Sequence, residues 1–173
     1  MSSPETRAPR SPDGPDAAAT PVTERLVRWL GEAGIAFELL THAPVRTSEE
    51  AARVRGTRLQ DGAKALVVRA GDRYVHCVLA AHRRADNAAL RSILGTRTLR
   101  FATAEELSAL TGCAPGAVPP FGNLFGLPVF VDEELAARER IAFNAGSNAV
   151  SITMRADDFI RSSGATVCRF AQA

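Results

Sequence analysis

Lys64 is the sole lysine among 21 basic residues; all the others are arginine. A coding bias toward Arg and Ala explains the arginines and says nothing of function. A lysine kept against that bias suggests a place where an ammonium is needed. An ammonium is a compact point charge with three rotatable donors, whereas a guanidinium is a broad planar fork. Chance survival of one lysine is the competing reading, and composition alone weighs the two equally.

The string Gly116-Ala117-Val118-Pro119-Pro120-Phe121-Gly122 is the second candidate. Consecutive prolines stiffen the backbone and remove donors. The flanking glycines allow positive φ and close approach of a ligand. One reading is a binding loop whose backbone N–H groups hold a carbonyl or oxyanion. The other is a rigid loop crossing the end of a sheet. The string lacks the Gly-Lys-Ser/Thr ending of a phosphate-binding loop. Asn144-Ala145-Gly146-Ser147-Asn148 is a polar turn. It serves either as a plain connector or as a pocket wall of small and amide side chains.

Other chemistries find less support. His42, His76 and His82 have no histidine partner at i+4, so a helical metal pair is absent. No G-x-S-x-G elbow is present for a serine nucleophile. Cys113 is the one thiol placed in a loop, but a free cysteine usually behaves as a small hydrophobe. Cys77, Cys113 and Cys168 form no C-x-x-C pair, so a reducing, cytoplasmic compartment is expected and neither a metal nor another cofactor is called for.

The elements that would position these residues follow from pattern. Residues 1–20 carry four prolines and few large apolar side chains, which reads as a disordered leader. Residues 21–173 read as one domain. Thr20-Pro21 opens a helix carrying Leu26, Val27 and Leu30. Phe37 to Leu40 is a short strand. Thr47 to Glu50 is a capping box opening a helix that Gly56 closes. Lys64–Val68 and Tyr74–Leu79 flank Gly71-Asp72 and form a hairpin. Asp86 and Thr103 each cap a further helix. Strands are expected at 99–101, 129–131, 141–143, 150–154 and 166–170, with a short helix at 156–160. Without a steady βαβ rhythm this is α+β with a mixed sheet. The apolar runs are too short for a membrane helix, the N-terminus has no signal-peptide core, and a net charge of +2 does not itself argue for nucleic acid.

Taken in order, certain segments are familiar. They are Thr41-His42-Ala43-Pro44, Thr47-Ser48-Glu49-Glu50-Ala51-Ala52, Gly62-Ala63-Lys64-Ala65-Leu66, Phe101 to Leu107, Thr111-Gly112, Gly116 to Gly122, Val131-Asp132 and Asn144-Ala145-Gly146. The series resembles the YbaK family, also called the prolyl-tRNA-synthetase-associated editing domain family, from about His42 to Ile160. The resemblance implies an α+β fold with a mixed, partly barrel-like sheet. It implies a free-standing hydrolase of wrongly charged aminoacyl-tRNA. Lys64 matches the family's pocket lysine, set toward the phosphate or ribose of the acceptor end. Gly116 to Pro120 matches a G-x-x-x-P loop whose amides hold the aminoacyl carbonyl, which singles out Gly116 and Ala117. Asn144 falls where members carry Ser or His, so substrate identity does not transfer. Leu40 stands where some relatives have an aromatic. His42, Thr47, Pro120, Phe121 and Gly146 complete the expected substrate-binding set.

The expected activity is removal of a small amino acid from tRNA without a catalytic acid or base, since the ester is already activated. The expected partners are the charged tRNA acceptor end and an aminoacyl-tRNA synthetase, with the protein a monomer or weak dimer and no membrane involved. The alternatives are a non-catalytic module that binds charged tRNA, a hydrolase of another small ester, and a Cys113 thiol enzyme.

Overall fold

The computed structural model describes residues 18–173, so the leader expected at 1–20 falls largely outside the described residues. Thr20 lies inside them and is the ordered cap of α1, Pro21–Glu32. Its Oγ1 accepts from Thr23 N, and Thr23 Oγ1 accepts from Thr20 N in return. The two hydroxyls then donate to Gly146 O at 3.0 Å and Ala145 O at 2.6 Å, tying the helix start to a distant strand.

β1 is Phe37–Thr41 and α2 is Ser48–Arg55, capped by Thr47 and closed by Gly56 at φ +66°. The expected reciprocal box at α2 is half made. Thr47 Oγ1 accepts from Glu50 N, but Glu50 accepts from Arg46 N instead of from the cap. β2 (Ala63–Ala70) and β3 (Arg73–Ala80) form the expected antiparallel hairpin about Gly71-Asp72. α3 is Asn87–Leu94, β4 Leu99–Phe101 and α4 Ala104–Thr111, where Thr103 and Glu106 form a complete box. After the long loop come β5 (Val129–Asp132), α5 (Glu133–Ala136), β6 (Arg140–Ser147) and β7 (Val150–Arg155). α6 (Ala156–Ser163) and β8 (Thr166–Cys168) end the chain.

The strands form two sheets, a three-stranded one in the order β1-β7-β6 and a five-stranded one in the order β4-β2-β3-β5-β8. The first is antiparallel; the second adds β5 and β8 in parallel to the hairpin. A parallel bridge between Gly62 and Ala142 joins the sheets where β2 begins, without closing a barrel. β3 shows why the second sheet is central. Its odd positions, Val75, Cys77 and Leu79, pack with Leu90, Leu94 and Phe170. Its even positions, Val78 and Ala80, face the larger core of Leu26, Leu30, Phe121, Phe143, Ile152 and Phe159. Side chains alternate along a strand, so a strand apolar on both faces must be covered on both.

Asn144 to Asn148 is less a turn than the end of β6. The strand continues through Ser147, with a bulge between Asn144 and Ser147. That bulge and the bridge at Gly62 set the walls of the cleft described next.

Candidate active site

A cleft of about 310 Å³ opens between the start of β2, one face of α2, the loop before Val118 and the bulge of β6. Ser48, Ala51 and Arg55 line it at i, i+3 and i+7, one face of α2. Thr47, Lys64, Gly116 and Asn144 also line it, so four of the expected residues meet there. Among the described residues three cations face the cleft, Arg46, Arg55 and Lys64, and its lining contains no carboxylate, histidine or thiol. Its hydroxyls are engaged: Thr47 in the helix cap, Ser48 in a bond to Ala81 O at 3.0 Å.

Lys64 stands at the head of β2, where the hairpin meets the three-stranded sheet. Its ammonium donates to Arg83 O. Burial, and after it the Arg84 guanidinium, lowers its pKa below the ordinary lysine value. Burial alone brings Arg55 down to about 10, which still leaves it charged at neutral pH.

The loop is held by its carbonyls. Gly116 O accepts from Asn144 Nδ2 at 2.8 Å and Ala117 O from Gly146 N at 2.9 Å. Pro119 O accepts from His76 Nε2 at 3.0 Å. Pro119 and Pro120 carry no N–H. The Ala117 N–H is taken up by Ala114 O at 3.1 Å. The Gly116 and Val118 N–H groups have no hydrogen-bond partner among the described residues, and both residues line the cleft. Gly116 holds φ +84°, a conformation other residues rarely adopt. The free donors are therefore Gly116 and Val118; Ala117 is buried and outside the cleft.

Four more of the expected substrate-binding residues lie elsewhere. Phe121 is fully buried and makes edge contacts with Trp29, Phe143 and Phe159 at ring distances of 5.3, 5.8 and 5.3 Å. Pro120 is buried beside it. Their apolar bulk serves the core and anchors the loop from behind. Gly146 is glycine because α1 crosses it: a Cβ there would sit 3.0 Å from both Thr20 Oγ1 and Thr23 N. Leu40 is exposed on β1 and does not line the cleft.

His42 is not in the lining but belongs to a network behind it. Its Nδ1 meets Ala43 O at 2.8 Å, so that nitrogen carries the proton and Nε2 accepts. Ser151 Oγ donates to that Nε2 at 2.7 Å and accepts from Arg55 Nε at 2.8 Å. The Ser151–His42 pair has the distance of a nucleophile and its base. Ser151 is only 1% exposed, however, and lies outside the cleft, so its hydroxyl has no path to a substrate. Cys113 is also buried, and burial raises its pKa, which disfavours the thiolate that a nucleophile needs.

Sequence reasoning missed Arg55, and it placed Val118 and Asn148 in candidate strings without singling either out. Arg55 was one arginine among many, and only its place on the Ser48/Ala51 helix face could have marked it. What Val118 offers the cleft is a backbone N–H, which its side chain does not advertise.

The chain matches the aminoacyl-tRNA editing domain over residues 42–162. It is 36% identical over 143 residues to the multifunctional Ser/Thr-tRNA deacylase ProXp-y of Escherichia coli K12, covering 80% of this chain and 86% of that protein. A segment of the proline–tRNA ligase of Bacillus licheniformis is 31% identical over 108 residues, 62% of this chain but 18% of the ligase. A solved structure assigned as a trans-editing enzyme for prolyl tRNA synthetase superimposes with a TM-score of 0.82 at 25% identity, over 90% of this chain and 99% of that one. With the family's domain spanning the cleft and every element that builds it, this chain belongs to the aminoacyl-tRNA editing domain family.

Proposed function

We propose that this chain, an aminoacyl-tRNA deacylase acting in trans, removes a small hydroxyl-bearing amino acid, serine or threonine, from wrongly charged tRNA. The observation that carries this reading is the cleft itself: three cations, no carboxylate, and two unengaged N–H groups on a loop pinned by its carbonyls. The cations suit the anionic acceptor end. Lys64, at the cleft, supplies an ammonium to a phosphate or ribose oxygen. The Gly116 and Val118 N–H groups hold the aminoacyl carbonyl oxygen. The small volume admits a short side chain, and the similarity to the Ser/Thr-tRNA deacylase favours a hydroxyl on it.

Water attacks the ester carbonyl carbon, and negative charge grows on the carbonyl oxygen. The ester C–O bond then breaks, leaving free amino acid and a ribose hydroxyl on the tRNA. One donor aimed at that oxygen is worth about 3–4 kcal/mol in comparable sites. The cleft wall offers no side chain suited to general base work, so the proton of the attacking water passes to the substrate's own groups or to solvent. Holding water and ester together supplies the rest. The charged tRNA and, in the cytoplasm, a synthetase that mischarges it are the partners this reading calls for.

The test is release of Ala, Ser, Thr, Cys and Pro from charged tRNA by the purified protein. Release of Ser or Thr well above the uncatalysed rate is expected. Tight binding of the charged tRNA with no release would favour a sequestering module, and Ala or Cys alone as substrate would overturn the hydroxyl preference.

A further inference from the structure

We infer that Arg55 is a positioning residue that fixes the Asn144 amide, and through it the Gly116 loop that carries the free donors. This rests on the deacylase reading of the same cleft. Arg55 ends α2 and reaches two strands at once. Its Nε donates to Ser151 Oγ on β7 and its Nη2 to Asn144 Oδ1 on β6, each at 2.8 Å. A longer contact of 3.5 Å joins Nη1 to Ala142 O. All these partners are neutral.

An asparagine amide has nearly the same shape either way round, so its partners decide its orientation. In the observed orientation Oδ1 faces the guanidinium, and Nδ2 faces Gly116 O at 2.8 Å and Asn148 Oδ1 at 3.4 Å. Flipped, Nδ2 would oppose the Arg55 donors and Oδ1 would oppose the Gly116 carbonyl. Both contacts would then be repulsive. The guanidinium thus locks the amide in the one orientation that can hold Gly116 O. Both Nδ2 protons are committed, so Asn144 is a strut between Arg55 and the loop and has no N–H left to read the substrate. A lysine at 55 could not bridge Ser151 and Asn144 together, because a point charge lacks the planar fork.

The experiment compares Arg55→Lys, Asn144→Ala and the double variant in single-turnover deacylation. Amide exchange at Ala117 and Gly146, the bonded amides of the loop and its anchor, is followed in parallel. Each single variant is expected to lose about tenfold in the chemical rate, with KM changed less than about threefold. The double should lose no more than the worse single, because both break one strut. Exchange at Ala117, bonded to Ala114 O, and at Gly146, bonded to Ala117 O, should quicken while the β2–β3 hairpin stays protected. Additive losses with unchanged loop exchange would overturn the proposal. So would a rise in KM alone for Arg55→Lys, which would mean direct contact with the substrate. If wild type shows no deacylation but the loop exchange quickens as expected, the functional reading fails and the strut stands. Asn144→Ala probes the same strut from its outer end, so the test does not depend on the folding of the arginine variant.

Discussion

His76 donates its Nε2–H to the carbonyl of Pro119 at 3.0 Å, from a strand position with no solvent exposure. The bond pins the stiff Pro-Pro segment to β3, three residues beyond the free N–H of Gly116 and next to that of Val118. A fully buried imidazole resists protonation, and burial lowers its pKa to about 4 despite the opposing bond to Pro119.

That shift makes stability depend on pH. The unfolded chain protonates His76 near the ordinary value of 6.5, and the folded chain does so only near 4. Between those values the unfolded state binds the extra proton, so stability falls as pH falls. The whole window is worth roughly 3 kcal/mol. Wild type should therefore lose more melting temperature between pH 7 and pH 4.5 than His76→Gln, which keeps an N–H donor but does not titrate. Parallel curves for the two proteins would show that His76 does not set this dependence.

Gly122 is the seat on which that histidine rests. A Cβ there would lie 2.6 Å from His76 Cβ and 2.7 Å from His76 Cγ. Neither atom is a flexible chain end, so the loop or the strand must shift. Gly122→Ala should cost about 1–3 kcal/mol in urea unfolding, as overpacking does in other cores. Gly122→Ala should cost less in a His76→Ala background than in wild type, since that background lacks the Cγ, though not the Cβ, that the new methyl strikes. A Gly122→Ala protein as stable as wild type would show that the contact relaxes freely.

Lys64 tests the cleft from its basic side. Charge-assisted bonds are worth about 1.5–3 kcal/mol, so Lys64→Ala should lose about 10–100-fold in kcat/KM for tRNA deacylation. Lys64→Arg should also be impaired, because a fork must fit where an ammonium donates to Arg83 O. Circular dichroism should show both variants folded. A folded Lys64→Ala protein of full activity would remove Lys64 from the site and leave catalysis to the loop.

The N-terminus divides at Thr20. Removing residues 1–17 should leave the melting temperature and deacylation nearly unchanged, since their Pro-rich composition offers little to bury. Removing 1–20 also takes the cap of α1 and its bond to Gly146 O. That deletion should be less stable by about 1 kcal/mol. Equal melting temperatures for the two deletions would show the cap to be dispensable.

Local rules made much of this fold legible. Thr20, Thr47, Asp86 and Thr103 start helices because a short side-chain oxygen satisfies an orphan N–H, whatever the tertiary setting. The β2–β3 hairpin followed from two apolar runs about Gly71-Asp72. Lys64 and the Gly116 string stood out by residue type, and the structure brings both to one cleft. Which donors the loop leaves free was decided only by the tertiary contacts. Three carbonyls are claimed by side-chain and backbone donors on β6 and β3, and the Ala117 N–H turns back to Ala114. Gly146, Phe121 and Pro120 looked like pocket residues because glycine, aromatic and proline serve sites and cores alike; packing assigned them to the core. Arg55 could not be told from the other arginines, because its role is set by what lies opposite its fork: Ser151 and Asn144, almost a hundred residues away along the chain.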